Sequence, residues 1–299
     1  MKSRVLNISV INTLLLLVFS ISVKAQEDVC QTIQVANNSI TTPVNIGGGE
    51  YRAAISTNNI GAMMTETFAE ELGLSVHEIA SRQLSLGFGE DLPYKYVEDI
   101  NLDIFGRTIT RERMVVLENS AAPLAISLRL FDGYIIQIDF SESKICFFPR
   151  DAMDLRELAN TEFDSDPISG NPVIRVNINE DVTTWLVLSL GYWGGALVDS
   201  SSASLLGYYA REDIREGSHE DLAIFENANL TLGPYRLVNL PVEFPKQGVE
   251  DNIATVEQLR TGSHIFRDRG SNGSIGVEAL KNFTLTFDLE RELMHIVAE

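Results

Sequence analysis

The chain is short of the residues that mark the commoner kinds of site. It has two cysteines and four histidines in 299 residues, and no Cys-x-x-Cys or His-x-x-x-His spacing, so the usual zinc and redox ligand sets are absent from the sequence and no metal or cofactor is expected. Positive charge is also scarce. Lys and Arg number 23 against 42 Asp and Glu, which makes nucleic acid and anionic membrane surfaces poor partners. The acids form no long single-sign run, and they read as a solubilising surface. The triplet Gly47-Gly48-Gly49 is not followed by Gly-Lys-Ser/Thr and a helix, which excludes a phosphate loop and leaves a tight hairpin turn. No apolar run reaches the ~20 residues that a membrane-spanning helix needs.

The longest such run, Val10–Ile21, follows a basic start at Lys2 and Arg4 and precedes Val23-Lys24-Ala25, a small-residue cleavage site. This pattern predicts a secretory signal over residues 1–25 and a secreted or periplasmic protein with no integral membrane segment after cleavage. Removing Lys2, Arg4 and Lys24 with it leaves the remainder more acidic still. Cys30 and Cys146 both lie in the exported part. An oxidising compartment makes a single disulfide between them the expectation, with two buried thiols as the alternative.

What the sequence does contain is alternation, written twice. Gln31–Val35 and Thr41–Ile46 read as short strands, and Tyr51–Ile55 as another, ending in the polar turn Ser56-Thr57-Asn58-Asn59. A second apolar run from Ile60 to Met64 leads to a helix over Glu66–Leu72, with Thr65 as N-cap, Phe68, Ala69 and Leu72 facing inward, and Gly73 as the stop. Alternation resumes from Gln83 through a turn at Glu90–Pro93 to Leu117. The apolar segment Ala125–Phe131 follows, then strands at Tyr134–Phe140 and Lys144–Phe148. Residues Pro149–Gly170 read as a linker with a helical turn at Met153–Leu158. From Asn171 the plan repeats. Trp185–Leu188 runs into Ser189-Leu190-Gly191, while Ile275-Gly276 falls on Ile126-Ser127 and Phe287-Asp288 on Ile138-Asp139 at one common offset. The expected units are thus a signal at 1–25, a first lobe at 26–148, a linker at 149–170 and a second lobe at 171–299.

These residues resemble the retropepsin and pepsin-like aspartic proteases. In that family each half has a strand ending in Asp-Thr/Ser-Gly, a run into a helix ending in Leu-Gly, a flap hairpin, an apolar-apolar-Gly signature and a closing strand of the Ile-Asp-Phe kind. Ala53-Ala54-Ile55 and Leu186-Val187-Leu188 look like the strands, Phe68–Gly73 like the helix end, and Ser274–Leu280 like the second signature. Ile138-Asp139-Phe140 and Phe287-Asp288-Leu289 look like the closing strands. The resemblance implies an all-β, bilobal double barrel with short helices.

The departures fall on the chemistry. Where the triplet is expected, the chain has Ser56-Thr57-Asn58 and Ser189-Leu190-Gly191, and Ser127 replaces the first signature glycine. The family reaction needs two carboxyl groups that share one proton, one acting as base and the other as acid. A serine hydroxyl takes neither role near neutral pH. A nucleophilic serine would need a base and an oxyanion hole; neither serine has a Gly-x-Ser-x-Gly context, and His77, His219, His264 and His295 are scattered. Asp139 and Asp288 read as structural acids and Asp199 as a helix N-terminal residue. Tyr192 and Trp193 read as packing, or as an aromatic floor to a ligand groove. The expectation is an exported protein without catalysis by the family mechanism, whose inter-lobe cleft binds a peptide or protein partner. The alternatives are a hydrolase that uses other residues and an envelope structural or inhibitory protein.

Overall fold

The structure is a computed structural model that describes residues 29–298 apart from 37, 59, 85–91, 168 and 250–269. The signal expected at residues 1–25, the turn beginning at Glu90 and His264 therefore lie outside the described residues.

Alternating burial fixes most strands. Along Ser39–Ile46 every second side chain is buried, and Val182–Leu188 repeats the pattern, as a strand with one face on a core requires. Gly47 and Gly48, at φ 60° and 85°, turn Ser39–Ile46 back onto Gly49–Ser56. The helix Glu66–Glu71 starts where Thr65 Oγ1 accepts from the Phe68 N–H at 3.2 Å, and Gly73 follows it at φ 68°.

Two sheets of eight strands have the same topology. In the first, the order is Gln34–Ala36, Ser39–Ile46, Gly49–Ser56, Leu124–Ser127, Ala62–Thr65, Arg107–Leu117, Leu92–Ile104 and His77–Leu84. In the second it is Phe163–Ser165, Pro172–Ile178, Val182–Leu188, Gly273–Ile275, Ala196–Val198, Tyr235–Pro245, Leu222–Leu232 and Arg215–Glu216. Each closes on itself. Ser39–Ile46 also pairs with Leu92–Ile104, and Pro172–Ile178 with Leu222–Leu232, so each half is a closed barrel of six strands with further strands at its edges. Four short α-helices lie among the described residues. The chain is mostly β, as the sequence implied, and none of the described helices is long and apolar enough to cross a membrane.

A third, antiparallel sheet joins the halves in the order Val29–Thr32, Lys144–Pro149, Tyr134–Asp139, Phe283–Asp288 and Leu293–Ala298, with Ile136 opposite Phe287 at its centre. Cys30 and Cys146 are register partners at its edge and form a disulfide. At its other end Arg150 makes a bidentate pair with the buried Asp288, 2.7 Å to each carboxylate oxygen, and reaches Glu290 at 2.7 Å.

Three segments depart from the sequence reading. Gln31–Val35 is not one strand: the chain leaves the shared sheet after Thr32 and enters the first barrel at Gln34, with Ile33 buried at the crossing and its N–H donating to the Ser143 carbonyl at 2.9 Å. The run Ala125–Phe131 divides at Ser127, whose hydroxyl accepts from the Arg129 N–H and starts a 3-10 helix over Leu128–Phe131. Within the segment read as a linker, Phe163–Ser165 pairs with Pro172–Ile178 as an edge strand, and the helical turn is Leu155–Leu158, capped by Asp154.

Candidate functional site

Both serine turns are set by the same local arrangement. Gly49–Ser56 lies parallel to Leu124–Ser127, with Ser56 opposite Ser127, and Ala62–Thr65 runs antiparallel on the other side of that short strand. In the second half Val182–Leu188 lies parallel to Gly273–Ile275, the Ser189 N–H donates to the Ile275 carbonyl at 3.0 Å, and Ala196–Val198 runs antiparallel. Each serine thus leaves the end of a strand whose backbone is held by a strand from later in the chain. The fold brings the two ends together. The buried Thr57 hydroxyl donates across the halves to the carbonyl of Leu188, the residue before Ser189. In the second half the position of Thr57 is taken by Leu190, which is buried and has no hydroxyl to return the contact. The join is one-sided.

The serines differ in their surroundings. Ser56 Oγ is shielded from solvent and has no hydrogen-bond partner, whereas Ser189 Oγ accepts from the Tyr192 N–H at 3.1 Å. No carboxylate or histidine among the described residues hydrogen-bonds to either hydroxyl. His77 lies against the Tyr96 ring, His219 beside Asp221, and His295 on the edge strand of the shared sheet. Asn58 holds its own turn, its side-chain oxygen accepting from the Ile60 N–H at 3.1 Å and its carbonyl from the Ser127 hydroxyl. Gly191 is exposed, and a Cβ built on it would meet nothing within 4 Å. Beside the first turn, Met63, Val115 and Leu117 form a small apolar cluster separate from the main core, with Ile60, Tyr94 and Ala125 packed on it.

The second turn is braced from below. The Gly276 N–H donates to the Gly195 carbonyl at 3.0 Å and the Val277 N–H to the Tyr192 carbonyl at 2.8 Å. The Tyr192 ring passes between Gly194 and Gly276, where a Cβ would come within 2.1 Å and 2.6 Å of its atoms respectively. Its hydroxyl donates to Glu243 Oε2 at 2.8 Å and also lies 3.2 Å from the Ala196 carbonyl. Burial, with the adjacent Glu243 charge, holds the phenol protonated well above its ordinary range. Trp193 packs against the main core with its indole N–H shielded and unpaired.

Sequence pattern alone does not single out Glu243. It is 3% exposed, and the available signal was a lone acid inside the apolar run Leu240–Phe244. The three acids singled out from the sequence have structural partners: Asp139 accepts from Ser141 and the Glu142 N–H, Asp288 pairs with Arg150, and Asp199 caps the helix Ser200–Leu205 through the Ser202 N–H. On the hairpin tip before Leu222 the possible ligand atoms of His219, Glu220 and Asp221 lie within 4.8 Å of one another, with all three residues exposed.

Neither a family model nor a curated protein matches the chain. Among solved structures, the crystal structure of basic 7S globulin from soybean matches over 91% of this chain and 95% of that one, at 10% identity and a TM-score of 0.50. What the two share is the fold, the pepsin-like double barrel.

Proposed function

We propose that this is an exported, non-catalytic protein of the pepsin-like fold whose cleft between the barrels takes an extended peptide or a segment of a partner protein. One observation carries the reading: Thr57 still ties the two strand ends together across the halves, while the side chains that leave those ends are hydroxyls with no acid or base bonded to them. The scaffold of a two-carboxylate site is kept without its carboxylates. General acid–base help alone is worth ~10²–10⁴ in rate, and loss of both partners of a concerted pair removes more. Export is supported by the signal-like start and by the Cys30–Cys146 disulfide, a bond that persists in oxidising compartments.

An extended peptide suits such a cleft because main-chain pairing supplies affinity while side-chain pockets supply choice. Beside the first turn Ile60, Tyr94 and Ala125, partly buried on the cluster of Met63, Val115 and Leu117, offer an apolar wall of that kind. The test is a titration of the oxidised, signal-free chain with a library of extended peptides, beside a Gly191→Phe variant. Because a Cβ at Gly191 meets open space, the variant should fold, and on this reading its ring obstructs the cleft. Saturable binding weakened tenfold or more by the substitution, roughly 1.4 kcal/mol, supports the reading. Absence of binding, or equal binding by both proteins, contradicts it.

A further inference from the structure

We propose that Glu243 is a positioning residue that locks the hairpin tip at Ser218 to the serine turn at Tyr192, so that the two segments open and close together. The proposal concerns the protein's own coupling and does not depend on what the cleft binds. Glu243 lies on the strand Tyr235–Pro245, with its side chain almost fully buried. Three donors converge on it from two places in the chain. The Tyr192 hydroxyl and the Ser218 hydroxyl reach Oε2 at 2.8 Å and 3.0 Å, and the Ser218 N–H reaches Oε1. None of the described lysines or arginines pairs with it. A buried carboxylate without a cation depends on its hydrogen bonds, so losing one donor raises the cost of keeping the others buried.

The geometry makes this a relay. At one end the Tyr192 N–H donates to Ser189 Oγ, and the Tyr192 carbonyl accepts from the Val277 N–H. The ring then runs between Gly194 and Gly276, where a Cβ on either residue would collide with it. At the far end the same carboxylate that accepts the Tyr192 hydroxyl's hydrogen bond accepts from both Ser218 donors. Ser218 sits in the connection between Arg215–Glu216 and Leu222–Leu232, the second-half counterpart by sheet order of the hairpin His77–Leu84 and Leu92–Ile104. A change at the serine turn that withdraws Tyr192 thus leaves Glu243 short of a donor and loosens the hairpin. The effect runs equally in reverse.

The test is hydrogen exchange on the full disulfide-bonded chain, comparing wild type with Tyr192→Phe, Ser218→Ala and the double variant. Main-chain pairing within the hairpin, such as Gly217 N–H to the Leu222 carbonyl, survives in all of them. Hydrogen bonds to a charged group are worth enough that Tyr192→Phe should speed exchange of the amides at 217–222 by roughly tenfold to a hundredfold. Ser218→Ala should do the same at 190–195, and the double variant should fall short of the product of the two. The proposal is overturned if each single variant changes only its own segment, or if the two effects multiply. Glu243→Gln, where it folds, should loosen both segments together; loosening of one alone also contradicts the coupling.

Discussion

A hydroxymethyl side chain at a strand end, unlike a carboxymethyl one, is no proton acceptor near neutral pH, yet asks nothing different of the backbone. Ser56 and Ser189 show the two fates of such a hydroxyl. Ser189 was absorbed into its turn as an acceptor for Tyr192, whereas Ser56 was left shielded and unpaired. An unpaired buried hydroxyl contributes nothing that a methyl group would not, so Ser56→Ala should leave stability unchanged or raise it by up to about 1 kcal/mol. Thr57 should behave oppositely. Thr57→Val keeps the shape but deprives the Leu188 carbonyl of its cross-barrel donor, a loss of about 1–3 kcal/mol. Chemical denaturation of both variants checks the pair, and a Thr57→Val protein as stable as wild type would remove the contact from the account.

At the scale of the turn and its supporting strand, two glycines with unstrained backbones separate cleanly. A Cβ at Gly276 would lie 2.3 Å from the Gly194 carbonyl oxygen and 2.5 Å from that of Tyr192, whereas one at Gly191 meets nothing. Gly276→Ala should therefore cost about 1–3 kcal/mol through forced backbone movement, and Gly191→Ala almost nothing. Comparable melting temperatures for the two would contradict the packing described. The sequence foretold much at this scale: alternation gave the strands, Thr65 and Gly73 bounded the helix, and the common offset paired Ser127 with Gly276. It could not foretell which sheet a short apolar strand joins, because Gln31–Val35 alternates equally well on either side of the crossing at Ile33. Nor could periodicity reveal Glu243, whose role depends on Tyr192 and Ser218 arriving from elsewhere in the chain. The one-sidedness of the Thr57 contact was legible as Leu190 but acquires meaning only once the strand ends meet.

Across the molecule, the halves are held by the shared sheet as well as by the Thr57 contact with the Leu188 carbonyl. The Cys30–Cys146 bridge clips the first strand of that sheet to its neighbour over a separation of 116 residues. In the chain-entropy model reduction should destabilise by up to about 4–5 kcal/mol, visible as a lower denaturation midpoint in reductant. An unchanged midpoint would show that the bridge constrains little. The Arg150–Asp288 pair spans both halves with one partner fully buried, so Asp288→Asn should cost about 3–5 kcal/mol. These supports hold the double barrel with hydroxyls, not acids, at its strand ends, and on that arrangement rests our proposal of a binding protein without two-carboxylate chemistry. The most direct measurement of that claim is to incubate the oxidised, signal-free chain with a mixed peptide library from acidic to neutral pH. Mass spectrometry then follows both retained peptides and cleavage products. The account predicts retention of a subset of intact peptides with no cleavage above a protein-free control; cleavage by the wild-type chain would contradict it, whether or not it persists in a Ser56→Ala/Ser189→Ala variant.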